Sequence, residues 1–169
     1  MVHVWTDGSA SNNGSETCVS VATWSTGDGL STSCHLVGAP SSNNVAEIVA
    51  AAMALCAWPA SDLHLHTDSK LVLGLLWRGL LDMENDPWSA LPWVAFHLLT
   101  PPQSHTDLHR YLLYLARAHQ GTLEVSWVKA HVGDPTNKAV DRLAKSALSS
   151  PETEDVLALH PPWGGLTPH

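Results

Sequence analysis

The apolar residues of this chain change their period near residue 40, and that change constrains the fold more than any other feature. Before it, Val2–Thr6, Cys18–Trp24 and Ser31–Val37 alternate with period two, the signature of half-buried strands. Gly27-Asp28-Gly29 is a turn signal between the second and third. Three strands joined by turns read as an antiparallel meander. After the change, Val45, Ile48, Val49, Ala52 and Leu55 recur at helical spacing in an Ala-rich run from Val45 to Trp58. Pro40-Ser41-Ser42 opens that helix, and Pro59 stops it.

From there strands and helices alternate. Leu63, Leu65 and Thr67 form a short strand, and Ser69 can cap a helix from Lys70 to about Leu80. Residues 82–104 hold four prolines around an apolar run and read as a broken or short helix. Ser104 or Thr106 caps a helix that runs to about His119 and ends at Gly121. Leu123–Val128 is a strand. Asp134-Pro135 starts a last helix, whose apolar face is Val140, Leu143, Ala144 and Leu148. This order implies one α/β domain over residues 1–149, a mixed sheet with helices on both faces. Residues 150–169 are Pro-rich and acidic and read as a linker-like or partly disordered tail.

Composition removes several function classes. No apolar stretch reaches the ~18 residues of a membrane span. The three cysteines, Cys18, Cys34 and Cys56, form no CxxC pair, so neither a disulfide framework nor a zinc ribbon is indicated. A reducing, intracellular compartment is the expectation. The net charge of −8, with only eight Lys plus Arg, argues against a general nucleic-acid binder. Four of those eight, Lys129, Lys138, Arg142 and Lys145, nevertheless fall between residues 129 and 145, and a local basic patch can coexist with an acidic whole.

The acids carry the chemistry. Asp7 ends the first predicted strand and Asp68 follows the fourth. If those strands are parallel neighbours, the two carboxylates are adjacent, at the strand ends where open α/β sheets build their sites. Glu47 lies among Ala46, Ile48 and Val49, near a buried helix face, and Asp141 lies between Val140 and Leu143. Taken singly, each has a plain reading as a turn, cap or solvated residue. Converging, they would repel one another unless cations or raised pKa values relieved them. Hard divalent ions with oxygen ligands are the natural relief.

Four stretches carry a resemblance: TDGSASNNG (6–14), SSNNVAEIVAA (41–51), HTDSKLVLGL (66–75) and WVKAHVGDPTNKAVDRLAK (127–145). TDG or TDS alone is a weak motif. The ordered set Asp7, Glu47, Asp68, His131, Asp141, closing in H-x-G-x-x-x-N-x-x-x-D, is specific. The chain resembles the type 1 ribonucleases H, and within them the members associated with retroelement reverse transcriptases. The resemblance implies a ribonuclease H-like α/β fold with a five-stranded mixed sheet in the order 3-2-1-4-5. It implies endonucleolytic hydrolysis of the RNA strand of RNA/DNA hybrids by a two-metal mechanism with Mg²⁺, for which Mn²⁺ can substitute. Asp7 would bridge two ions, Glu47 and Asp68 would hold the first, and Asp141 the second. His131 would assist proton transfer, a task that suits a pKa near 6.5. Gly8, Ser9, Asn13, Asn43, Asn44, Ser69 and Asn137 would bind substrate, partly through the 2′-OH. Small Gly8-Ser9-Ala10 would let the substrate backbone approach.

One departure bears on affinity. Many cellular members carry a Lys-rich protrusion where this chain has GLLDMENDPWSALPWVAF (79–96), acidic and Trp-rich. Phosphate contacts dominate nucleic-acid affinity, so weak hybrid binding in isolation is expected, with a polymerase or other domain of a larger polypeptide supplying grip. Trp77, Trp88 and Trp93 read either as a partner surface or as a local core.

Other classes fit less well. A proofreading exonuclease would show Asp-x-Glu in the first strand, where this chain has Ser9. A serine hydrolase would show a G-x-S-x-G elbow. Cys34, His35, Cys56, His64 and His66 could serve a zinc site. The His64-x-His66 pair projects to one strand face, where its plain reading is a core or cross-strand role. A catalytically silent ribonuclease H-like binding module is the remaining alternative.

Overall fold

The computed structural model describes residues 1–12, 18–37, 42–81, 105–129, 134–149 and 156–158. In chain order the elements are β1 (Val2–Ser11), β2 (Val19–Ser25), β3 (Ser31–Val37), α1 (Asn43–Ala57), β4 (Leu63–Thr67), α2 (Lys70–Leu81), α3 (His105–Ala118), β5 (Leu123–Trp127), α4 (Pro135–Ser149) and β6 (Val156–Ala158). The expected 3-2-1-4-5 order is present within a sheet that runs β5-β4-β1-β2-β3-β6. The β1–β2–β3 meander is antiparallel, and β4 and β5 join β1 in parallel.

Two differences from the sequence expectation go beyond shifts of one or two residues at element ends. β1 continues to Ser11 because β2 pairs with it through Ser11↔Val19, whereas β4 pairs only with Val2–Thr6. Asp7 is therefore inside β1, one residue beyond the end of its parallel partner. The second difference is β6. Val156–Ala158 pairs in parallel with His35–Val37 on the free edge of β3, so the tail contributes a strand. Residues 82–104, with Trp88 and Trp93, lie outside the described residues.

Strand alternation sorts side chains onto two faces. Val4, Ala22, Trp24, Leu36, Leu63 and Leu65 pack with α1 in the main core. Ser42 caps α1, its hydroxyl accepting from the Val45 N–H at 3.2 Å. The helix lies between the sheet and α3, which explains why Val45–Ala52 is buried without a break. Its alanines permit that close packing on both sides. Full burial of Ile48, Leu63, Leu65, Leu76 and Leu108 contributes roughly 1.5–3 kcal/mol per side chain.

α4 packs against β1, β2 and β3. Asp134 caps it, accepting from the Thr136 and Asn137 N–H groups at 2.9 and 3.1 Å. The other Asp134 oxygen accepts from Trp5 Nε1 at 3.1 Å, tying the helix start to β1. Further along the same face, His3, His64 and His66 cluster with Trp5 on β1 and β4. Burial, with His64 and His3 beside it, lowers the His66 pKa to about 4 and keeps that ring neutral. Cys34 and Cys56 are buried and form no disulfide among the described residues. Among the described residues no helix is long and apolar enough to cross a membrane.

Candidate active site

Asp7 and Asp68 meet because of register. Thr6 pairs with Thr67 at the end of the parallel β1–β4 ladder, so the next residue of each chain leaves side by side. Glu47 is delivered by α1, and a glycine allows it. A Cβ on Gly8 would lie 2.5 Å from the Glu47 nitrogen and 2.8 Å from the Ala46 Cβ. The absent side chain at Gly8 is thus required by the approach of α1, in addition to the approach of substrate that the sequence had suggested. Asp141 comes from α4, on the opposite side of the sheet from α1.

Carboxylate oxygens of Asp7, Glu47 and Asp68 lie within 4.8 Å of one another. Asp7 is 3% exposed and Glu47 6%. Asp7 Oδ2 and Glu47 Oε2 are buried and have no hydrogen-bond partner among the described residues. Burial pushes the Asp7 pKa up to about 8, helped by the charges of Asp68 and Asp141. Burial also raises Glu47 well above the usual carboxylate range, with Asp7 and Asp68 adding to it. Buried acceptors without donors are costly, and like charges this close are costlier. Hard oxygen donors converging with unused lone pairs are the ligand chemistry of Mg²⁺ or Mn²⁺, so the residues present fit a divalent cation.

The four carboxylates line one cleft of about 430 Å³ together with Gly8, Ser9, Asn43, Asn44, Ser69, Lys70, Leu71 and Lys145. Five of the seven expected substrate-binding residues are therefore gathered there. Ser69 also caps α2, accepting from the Val72 N–H at 3.2 Å. Asn137 is elsewhere: it is 2% exposed in the first turn of α4, outside the cleft lining, and its Oδ1 lacks a partner among the described residues. Asn13 and His131 lie outside the described residues.

Sequence reasoning counted Lys145 in a local basic patch but placed neither it nor Lys70 beside the carboxylates. Lys145 Nζ is 3.0 Å from Asp141 Oδ2, and the i,i+4 spacing of an acid and a base on one helix was the available signal. Lys70 Nζ sits 5.4 Å above the Trp127 ring. Trp127 Nε1 donates to the Asp68 carbonyl at 3.2 Å, which braces the loop carrying that carboxylate.

The sequence pattern of the RNase H family matches residues 1–149. This chain belongs to the RNase H family. Similar proteins include the ribonuclease H of Novosphingobium aromaticivorans, 35% identical over 106 residues that make up 62% of this chain and 68% of that one. The ribonuclease H of Acidiphilium cryptum is 30% identical over 151 residues, covering 87% of this chain and 86% of its relative. Among solved structures, LC9-RNase H1, titled a type 1 RNase H with the type 2 active-site motif, superimposes with a TM-score of 0.60 at 18% identity. That match covers 86% of this chain and 71% of the other, and it shows the shared fold. The chain is a ribonuclease H enzyme, and the acidic cleft is its candidate active site.

Proposed function

We propose that this RNase H hydrolyses the RNA strand of RNA/DNA hybrids at the acidic cleft, using two divalent cations, Mg²⁺ with Mn²⁺ as a substitute. The observation that carries the reading is the pair of buried oxygens on Asp7 and Glu47, without partners among the described residues, that line an open cleft. Asp7, between Asp68 and Asp141, would touch both ions. Glu47 and Asp68 would complete the first position and Asp141 the second. When bound, the cations supply Lewis-acid stabilisation of the charge that develops on the phosphate.

The chain's own groups position the substrate and handle protons. Asn43 and Asn44 stand at the start of α1 beside the carboxylates, where their amides can hydrogen-bond a sugar–phosphate backbone and its 2′-OH. Ser9, Ser69 and Asn13 offer further polar contacts. Lys70 and Lys145 bring positive charge to a cleft otherwise dominated by acids. His131 holds and releases a proton at the reacting oxygens. The net charge of −8 supports weak hold on hybrid by this chain alone, with another domain of a larger polypeptide adding grip.

The test is cleavage of four labelled substrates of one sequence: hybrid, single-stranded RNA, duplex RNA and duplex DNA. Mg²⁺ is expected to permit cuts within the RNA strand of the hybrid, and chelation to stop them. Equal cutting of duplex RNA, or cutting that survives chelation, would remove this reading.

A further inference from the structure

The sheet face away from α1 carries a cluster that cleavage chemistry does not use. His3 and His64 are directly paired across the parallel β1–β4 ladder. His66 follows two residues along β4, on the same face. The three residues each offer a ring nitrogen, and these nitrogens lie within 4.8 Å of one another. His3 Nδ1 and His66 Nε2 are already 3.0 Å apart. The rings of His64 and His66 stack with centroids 4.1 Å apart, and His66 stacks on Trp5 at 4.3 Å.

Three imidazoles of adjoining strands have alternatives to holding a metal. They can hydrogen-bond and stack, as His3 and His66 do here. Three further observations favour a metal. First, the framework is rigid: an in-register ladder fixes all three Cα positions, and His66 is braced by Trp5. Tetrahedral Zn–N bonds of about 2.0–2.1 Å need nitrogens roughly 3.3 Å apart, which side-chain rotation alone can reach from the present spacing. Second, His64 has outer partners on β5. Its Nδ1 is 3.6 Å from Glu124 Oε2 and its Nε2 2.6 Å from Ser126 Oγ, so one nitrogen keeps its outer partner while the other exchanges its own for the ion. A carboxylate beside the second nitrogen is the usual support of a ligating histidine. Third, the face is accessible: His3 and Glu124 are exposed, and α4 lies over β1, β2 and β3.

We propose that His3, His64 and His66 form a second metal site, separate from the carboxylates, which takes one ion of the imidazole-preferring class, Zn²⁺ first, and clamps β1 to β4. Imidazole suits Zn²⁺, Ni²⁺ and Cu²⁺, whereas carboxylate suits Mg²⁺ and Mn²⁺, so the two clusters select different ions. Three protein ligands leave a fourth position for water. The clamp joins the two strands that present Asp7 and Asp68, and so stiffens the platform of the cleft.

The experiment titrates Zn²⁺ into the tag-free chain in excess Mg²⁺, by calorimetry and by thermal melting. Four proteins are compared: the wild type, His64→Gln, the double variant His3→Gln/His64→Gln, and Asp68→Asn. Neither His3 nor His64 belongs to the main core, so the substitutions spare it; circular dichroism verifies the fold. We expect one histidine-dependent Zn²⁺ per chain, with a rise in Tm. His64→Gln should weaken it at least about tenfold, since even outer partners of ligating histidines are worth ~10–100-fold. The double variant should lose both the ion and the Tm rise, and Asp68→Asn should keep both. Zn²⁺ binding that is unchanged in the double variant, that disappears in Asp68→Asn, or that is absent from the wild type would overturn the proposal.

Discussion

β1 and β4 carry two clusters a few residues apart, and they could hardly differ more. At the end of the β1–β4 ladder, Asp7 and Asp68 are joined by Glu47 from α1 and Asp141 from α4, so four elements are needed to assemble one site. Along the ladder itself, His3, His64 and His66 need only two neighbouring strands. Two of the carboxylates, Asp7 and Glu47, are buried, and one oxygen of each has no partner among the described residues. The histidines lie on a more accessible face and have partners: His3 and His66 bond each other, and His64 bonds Ser126. One sheet thus presents hard, electrostatically strained ligands where helices cover it and soft, relaxed ones where they do not. What covers a strand, as much as its sequence, determines the chemistry it can hold.

The largest test of that contrast is Asp68→Asn. Removing one charge from the strained cluster should cut hybrid hydrolysis in Mg²⁺ by at least ~10³-fold while the fold persists. Near-wild-type turnover would mean that the carboxylates are not the reaction centre. His131 lies outside the described residues, and its test is functional. His131→Ala should slow turnover by roughly 10²–10⁴-fold, the usual worth of a general acid or base, and leave measurable activity in a single-turnover assay. A loss as complete as that of Asp7→Asn would contradict a proton-transfer role.

Gly8→Ala probes how the strained cluster is assembled. The added Cβ meets α1 backbone at 2.5 Å, so either helix or strand must shift. A stability loss of about 1–3 kcal/mol in urea melts is expected, with reduced hydrolysis as Glu47 is displaced. Unchanged values in both would show that α1 has room to move.

Strain should also appear as pH dependence in the metal-free protein. The Asp7 pKa is raised from 3.8 to about 8 in the folded chain. Between those values the folded state keeps a proton that the unfolded state releases, so this group makes stability fall as pH rises from about 4 to about 8. Asp7→Asn removes that slope and should be more stable than wild type at pH 8 by on the order of 2 kcal/mol, with the gap closing toward pH 4. Urea melts of both proteins in chelator, across that range, measure it. Mg²⁺ at pH 8 should narrow the gap by binding the folded wild type. The smallest effect is expected at the relaxed cluster. His64→Gln should leave hybrid hydrolysis within about twofold in Mg²⁺ alone, where no Zn²⁺ clamps the strands in either protein; a larger loss would join the two regions functionally.

How much of this was legible follows from the range of each interaction. Local periodicity settled β1 to β5 and the helices, because alternation and helical spacing are properties of residues two to four apart. Ser42 and Asp134 announced their helix starts for the same reason: a cap acts within three residues. The four carboxylates were legible as an ordered set within recognisable stretches, and the cleft gathers them. The length of β1 was not, because Ser9 and Ser11 become strand only when β2 pairs with them. Nor was β6, since three residues acquire a partner only from the free edge of β3.

Function at single residues divides in the same way. The sequence by itself determined which groups could bind metal: Asp7, Glu47, Asp68 and Asp141 as oxygen donors, His64 and His66 as a pair on one strand face. Tertiary structure alone decided that His3 completes that pair, through a register joining residues 61 apart. It also decided that Gly8 makes way for α1, that Asn137 is buried, and that Lys70 and Lys145 face the cleft. The physical reason is that side-chain chemistry is a property of the residue, whereas burial, register and convergence belong to the neighbours that packing brings to it.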